Sequence, residues 1–142
     1  MVGRRTYETL PPKFDKEKIF VLTGREGFIL RNEEKHLTVN EIKFFKNFEE
    51  DIYISGGAGV YGQFLAGGSK LMPDIIVDCI YHGALSALSG KKADITDAVE
   101  IMRKKYRQVG SSYEKDNVSV VIYVKSGDFV EQSVLKHIIE SV

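Results

Sequence analysis

The sequence predicts an α/β fold: a mostly parallel central sheet with helices on both faces, three layers in all, followed by a C-terminal antiparallel hairpin. Three observations predict it. Short apolar, β-branched runs alternate with helix-patterned segments through the first half, as they do where parallel strands are joined by crossover helices. A glycine cluster, Ser55-Gly-Gly-Ala-Gly59, stands where an apolar strand gives way to a helix. Near the C-terminus two β-rich runs flank a polar loop, the pattern of a hairpin.

The 142 residues suffice for one domain, residues 1–142, that buries about two thirds of its unfolded surface. A hydrophobic fraction of 43% and a charged fraction of 28% are those of an ordinary globule. With 20 basic residues against 20 acidic ones, no net field draws a nucleic acid, and any anion partner is small. Cys79 is the single cysteine, which excludes an internal disulfide and fits a cytoplasmic protein. His36, His82 and His137 are scattered, without paired cysteines or His-x-x-x-His spacing, so no metal is expected. No apolar run approaches the roughly 20 residues of a membrane span, and the first residues lack the apolar core of a signal peptide. The partner to expect is a small-molecule substrate, with neither nucleic acid nor membrane.

In chain order, Met1-Val-Gly-Arg-Arg-Thr-Tyr-Glu-Thr-Leu10 reads as a helix closed by Pro11-Pro12, with Thr6 as its cap and Glu8 in its first turn. Arg4 and Arg5 can give charge-assisted bonds to phosphate oxygens, although two arginines near a terminus are more often solvated surface. Ile19-Phe-Val-Leu-Thr-Gly-Arg25 is an apolar run of the buried-strand kind, and Arg25 at its carboxyl end stands where α/β sheets bind ligands. His36-Leu-Thr-Val39 predicts a short strand. Asn40 then caps a helix through about Glu50 whose Ile42, Phe44, Phe45 and Phe48 belong to a core.

Ile52-Tyr-Ile54 predicts the next strand, and the helix after the glycines stops at Gly67-Gly68. Asp74-Ile-Ile-Val-Asp-Cys-Ile-Tyr81 predicts a buried strand interrupted by Asp78. A buried carboxylate needs a partner or a role, and backbone amides or a lysine at a sheet edge are the plainer of the two answers. Thr96 or Asp97 caps a helix to about Lys105, with Val99, Ile101 and Met102 as its apolar stripe. Tyr106-Arg-Gln-Val109 and Val118-Ser-Val-Val-Ile-Tyr-Val124 form the hairpin around a polar loop, Ser111 to Asn117. An amphipathic tail, Phe129 to Val142, follows.

The glycine cluster is the stretch that carries chemistry. Gly56, Gly57 and Gly59 permit positive φ and close approach of the backbone to a ligand, and a pyrophosphate fits the free amides of a helix beginning near Ala58. A tight strand-to-helix turn explains the same glycines without any ligand. The spacing Gly-Gly-x-Gly differs from the dinucleotide fingerprint Gly-x-Gly-x-x-Gly.

Three stretches, in order, resemble the dihydrofolate reductase family. Residues 1–10 are similar to its Gly-Arg-x-Thr segment, residues 19–25 to its following strand, and Ile54-Ser-Gly-Gly-Ala-Gly-Val-Tyr-Gly-Gln-Phe-Leu65 to its Gly-Gly-x-x-x-Tyr stretch. The resemblance covers residues 1 to about 65 and implies an NADPH site. Gly3, Arg4, Arg5 and Thr6 would wrap the cofactor's phosphates. Leu22, Thr23 and Arg25 would hold the adenosine side, with Arg25 on the 2′-phosphate. Gly56, Gly57, Ala58, Gly59, Val60 and Tyr61 would carry the pyrophosphate and pack beneath the nicotinamide.

The family's first strand and acidic helix have no counterpart here, and Lys16-Glu17-Lys18 stands where its folate-gripping arginine belongs. The related riboflavin-pathway pyrimidine reductases share fold and cofactor without that arginine. Asp78, near a family threonine that supports the catalytic acid, is the candidate catalytic residue. A missing central strand is expected to mean a shortened reading of a longer gene, strand exchange in a homodimer, or replacement by the C-terminal strand pair and tail. The implied function is an NADPH-dependent reductase. The alternative is a nucleotide-binding relative without catalysis. Separately, Asp116-Asn-Val-Ser-Val-Val-Ile-Tyr123 resembles the closing strand of metal-dependent serine/threonine phosphatases, with no aspartate cluster before it.

Overall fold

The structure, a computed structural model, describes residues 1–13, 15, 18–22, 35–38, 51–66, 71–84 and 93–141. It is α/β, and its contacts divide into two units, residues 1–72 with 93–98 and residues 73–92 with 99–142. Each holds one three-stranded sheet.

In the first unit β1 (Val2–Gly3), β2 (Phe20–Leu22) and β3 (Lys35–Leu37) are parallel in that spatial order, with Val2 opposite Val21, Gly3 opposite Leu22 and Leu22 opposite Leu37. On the free side of β1 the strand expected over residues 52–54 is corrected: no regular strand forms there, and the stretch meets β1 through a few backbone bonds. The Met1 amine donates to Tyr53 O, Ser55 N–H to Met1 O at 2.8 Å, and Gly3 N–H to Gly56 O at 3.0 Å. With Gly3 N–H meeting Gly56 O and not Ser55 O, the bonds leave the register of a parallel ladder, so residues 53–56 lie along β1 without forming a fourth strand. Val2 and Val21 are buried between the strands.

The stretch along β1 ends in a turn into α2 (Ala58–Ala66). Val60 and Phe64, one helical turn apart, pack on Leu22, and half-buried Met1, Ile54 and Leu71 close round them. Burial of Phe64 alone stabilises by about 1.5–3 kcal/mol. The opposite face of α2 carries Gly59, Gly62 and Gln63 toward solvent, which is why the apolar stripe is narrow.

The short helix α1 (Arg4–Glu8) springs directly from β1. Its N-cap is Gly3 and no side chain caps it. The expected Thr6 cap is therefore corrected: the helix starts three residues earlier, Thr6 lies inside it and Glu8 lies at its end. The strand β2 matches the expectation over residues 20–22. Thr23, Gly24 and Arg25, the helix expected over residues 41–50 and the stop at Gly67-Gly68 lie outside the described residues.

In the second unit β4 (Ile75–Tyr81), β5 (Tyr106–Lys115) and β6 (Val118–Lys125) form an antiparallel sheet with β6 in the middle. The central strand is the one with a continuous β-branched run, and Ser119, Val120, Val121, Ile122 and Val124 are buried on it. Two expectations change here. The hairpin loop is two residues, Asp116-Asn117, with φ of 50° and 63°, so β5 runs on to Lys115 through what reads as a polar loop. Paired positive φ values define the turn whose twist suits a two-residue hairpin, and Asn tolerates them. An irregularity between Val109 and Tyr113 absorbs the extra polar residues.

The second change is at β4, which is not a buried strand. It is an outer strand, and all seven of its residues are half-buried or exposed. α3 (Thr96–Lys105) ends where expected and buries Ala98 and Met102, but Asp94 supplies its cap, accepting from Thr96 N–H at 2.9 Å. α4 (Gln132–Ser141) forms within the tail and buries none of its residues. Among the described residues no helix is long and apolar enough to cross a membrane.

Candidate functional site

The turn from residue 55 to residue 59 is built by its neighbours. Gly56 O accepts from Gly3 N–H at 3.0 Å and from the Thr6 hydroxyl at 3.2 Å, which ties the turn to the end of β1 and to α1. Gly56 and Gly57 both have positive φ, 46° and 27°, a conformation that costs about 1–2 kcal/mol for a residue with a β-carbon. Gly57 O then accepts from Val60 and Tyr61 at 3.0 and 3.1 Å and starts α2.

The amides of Gly57, Ala58 and Gly59 find no acceptor among the described residues. Three such donors in succession, at the positive end of a helix dipole, make a seat for a small anion. The surroundings leave room for it. A β-carbon on Gly57 would meet only Thr6 Oγ1, at 3.5 Å, and one on Gly59 would meet nothing within 4 Å. Gly3 is glycine for a different reason, since a β-carbon there would stand 3.0 Å from Val60 Cγ2.

The structure thus brings together Gly3, Thr6, Gly56, Gly57, Ala58 and Gly59. Leu22 and Val60 are core residues beside them, offering backbone alone. Arg4 pairs with Glu8 at 3.6 Å, whereas Arg5 is exposed. Tyr61 turns its ring back over Gly56. A cavity of about 230 Å³ lies on the far side of α2, between Ala58 and Gly62 and the stretch from Asp94 to Ala98. Its polar wall is Asp94 and Asp97, and the Thr96 hydroxyl and amide hold the Asp94 carboxyl below its usual range. Two carboxylates repel a phosphate, so this cavity does not suit an anion.

Asp78 belongs to the second unit. Burial pushes its carboxyl up, and the nearby Arg103 guanidinium pulls it back. Burial, and then Asp78, push the exposed Cys79 thiol up. The second unit also holds a polar chain that sequence reading missed: His82 Nε2 lies 2.5 Å from Ser119 Oγ, which donates to Glu114 Oε1 at 3.4 Å. Glu114 and Ser119 come from β5 and β6 and His82 directly follows β4; they share no spacing in the sequence, so only register joins them. No group of metal-binding side chains occurs among the described residues.

Parallel strands beside a glycine turn that opens a helix put the first unit in the α/β class. In comparison with known proteins, the chain is 37% identical over 84 residues to the dihydrofolate reductase of Mycoplasma genitalium. The alignment takes in 54% of this chain and 51% of that protein, so the chain spans about half the length of the curated relative it matches. No family model matches the chain. Over the aligned segment the chain is thus similar to a dihydrofolate reductase.

Proposed function

We propose that the protein binds NADPH at the glycine turn and serves as a reductase that delivers hydride to a pteridine-like substrate such as dihydrofolate, or to a pyrimidine. The observation that carries this reading is the row of open amides at Gly57, Ala58 and Gly59, held by Gly3 and Thr6, in a chain related to a dihydrofolate reductase. The fit is good on this chain's own terms: the seat offers backbone amides at a helix N-terminus and is unobstructed at Gly57 and Gly59.

NADPH, when bound, supplies the hydride. The residues of this chain bind and orient it. The amides of Gly57 to Gly59 take the pyrophosphate oxygens, Arg5 adds charge, and Leu22, Thr23 and Arg25 hold the adenosine side, with Arg25 on the 2′-phosphate. Asp78 holds a proton more firmly than an ordinary carboxyl and is the proposed proton-handling group. We place the whole in a single three-layer domain of dihydrofolate reductase type, cytoplasmic, with a small-molecule substrate and a homodimer that pairs exposed sheet edges. The alternative, a nucleotide-binding relative without catalysis, shares the seat and lacks turnover.

The test is loss of reduced-nicotinamide absorbance with dihydrofolate and with a pyrimidine substrate, alongside direct NADPH titration. Turnover supports the reductase, binding without turnover supports the alternative, and no binding rejects both.

A further inference from the structure

The antiparallel sheet has two outer strands, and their edges are finished differently. β5 carries Arg107, Glu114 and Lys115 on the surface, and an irregularity between Val109 and Tyr113, with Gly110 at φ of 70°, breaks its edge. Charges and bulges of this kind keep an edge from pairing with another strand. β4 has no such bulge, and Asp78 is its one charge. Its seven residues, Ile75-Ile-Val-Asp-Cys-Ile-Tyr81, hold no lysine, arginine, proline or glycine, pair with β6 without a break, and leave Val77, Cys79, Ile80 and Tyr81 exposed.

The backbone bonds show which groups lie on the free edge. His82 N–H donates to Asn117 O at 2.8 Å and Asp74 O accepts from Lys125 N–H at 3.4 Å, so the even-numbered residues bond toward β6. Antiparallel bonding alternates along a strand, which turns the N–H and C=O groups of Ile75, Val77, Cys79 and Tyr81 away from β6. None of these groups has a hydrogen-bond partner among the described residues. What satisfies such a row is another strand, and β4 is complementary to itself. An antiparallel copy centred on Asp78 sets Ile75 against Tyr81 and Val77 against Cys79 in hydrogen-bonded pairs, using every outward group of both strands. Between them it sets Ile76 against Ile80, so apolar side chains meet apolar ones.

We propose that β4 is the dimer edge: two copies of the chain join their antiparallel sheets through β4, about a twofold axis at Asp78, into one continuous sheet. This rests on the proposed homodimer and gives it an edge and a register. The axis places the two Asp78 side chains directly opposite each other, in a pair of the close, non-hydrogen-bonded kind, where like charges destabilise. Among the described residues Arg103 of α3 is the charged group that acts on Asp78 within the chain, and Val121 opposes it on β6. Burial already favours the protonated carboxyl, against the pull of Arg103. The dimer favours it further, because one shared proton removes the repulsion. The dimer thus holds a proton more firmly than two separate copies do, and association tightens as pH falls, by at most about tenfold per pH unit.

The experiment is analytical ultracentrifugation of the full chain over a range of concentrations, at neutral and mildly acidic pH, for the wild type, Asp78→Asn, Val77→Pro and Cys79→Lys. The wild type is expected to be a dimer that tightens in acid, and Asp78→Asn a dimer indifferent to pH over the same range. Val77→Pro removes an outward N–H and leaves the bonds to β6 whole, and Cys79→Lys puts a charge on the edge. Each is expected to weaken association about tenfold or more, and Cys79→Lys carries the test if circular dichroism shows Val77→Pro unfolded. A dimer that the folded edge variants do not weaken overturns the β4 interface and leaves the homodimer standing. A wild type that stays monomeric at every concentration overturns both. Tightening in acid that is absent from the wild type, or that persists in Asp78→Asn, overturns the axis at Asp78. The single cysteine checks the register. With the axis at Asp78 the two Cys79 α-carbons lie about 8 Å apart, too far for a disulfide, so ready oxidation to a linked dimer overturns that register.

Discussion

Gly57→Ala is the substitution on which the anion seat stands or falls. Gly57 has φ of 27°, so an alanine there carries about 1–2 kcal/mol of backbone strain. Its methyl group would lie 3.5 Å from Thr6 Oγ1, an ordinary contact that adds no further penalty. The stability loss should therefore be confined to about 1–2 kcal/mol, small enough for the variant to fold. Binding is another matter, because the methyl would occupy the gap between the Thr6 hydroxyl and the start of α2. NADPH and pyrophosphate affinity should fall below detection. Gly62→Ala is the comparison, since it lies within the same helix, meets nothing within 4 Å and should gain about 0.5–1 kcal/mol from helix propensity. Urea unfolding reads both stability changes and calorimetry reads affinity. A folded Gly57→Ala protein that binds as tightly as the wild type refutes the reasoning.

Three further outcomes follow from the second unit. The Tyr106 hydroxyl donates to Pro73 O at 2.7 Å, and burial, with Asp74 and Asp128 adding to it, pushes its pKa up to about 12. The unfolded chain loses this proton first, so the contribution is intact below pH 10 and disappears as pH rises from about 10 to about 12. It is worth about 1–2 kcal/mol after solvent screening, and Tyr106→Phe should flatten that alkaline loss in urea midpoints. At the hairpin turn, Asn117→Gly should leave stability nearly unchanged, whereas Asn117→Val should cost about 1–2 kcal/mol, read by thermal unfolding. Asp78→Asn should leave NADPH titrations unaltered and remove turnover, and unchanged turnover would return Asp78 to a structural role beside Arg103.

The parts of this fold legible in the sequence are those fixed by local chemistry. The glycine turn could be placed because three glycines before an apolar helical stripe have few other uses, and Val60 and Phe64 gave the stripe its face. The β6 run was legible because its β-branched continuity suits a central strand. The β5 extension was not, because Ser111, Ser112 and Glu114 read as loop until the two-residue turn at Asp116-Asn117 fixes the pairing. Thr6 was misplaced as a cap because a threonine before a helical pattern is a cap by habit. Its real partner, Gly56 O, lies 50 residues away. β4 read as buried because apolar content reports what a strand prefers to touch, not whether it sits at the edge.

The two sheets also differ in how far apart their strands lie along the chain. The β5–β6 hairpin closes across two residues, so its contacts form locally and early. In the first unit β1 gains the bonds on its outer side only from residues 53–56, and the Met1 to Tyr53 contact closes 52 residues of chain. Loop closure of that length is entropically costly before any contact rewards it. During synthesis β1 must therefore wait with one edge open until the glycine turn has been made. The glycine turn is tied to β1 and α1 by bonds of the same long separation.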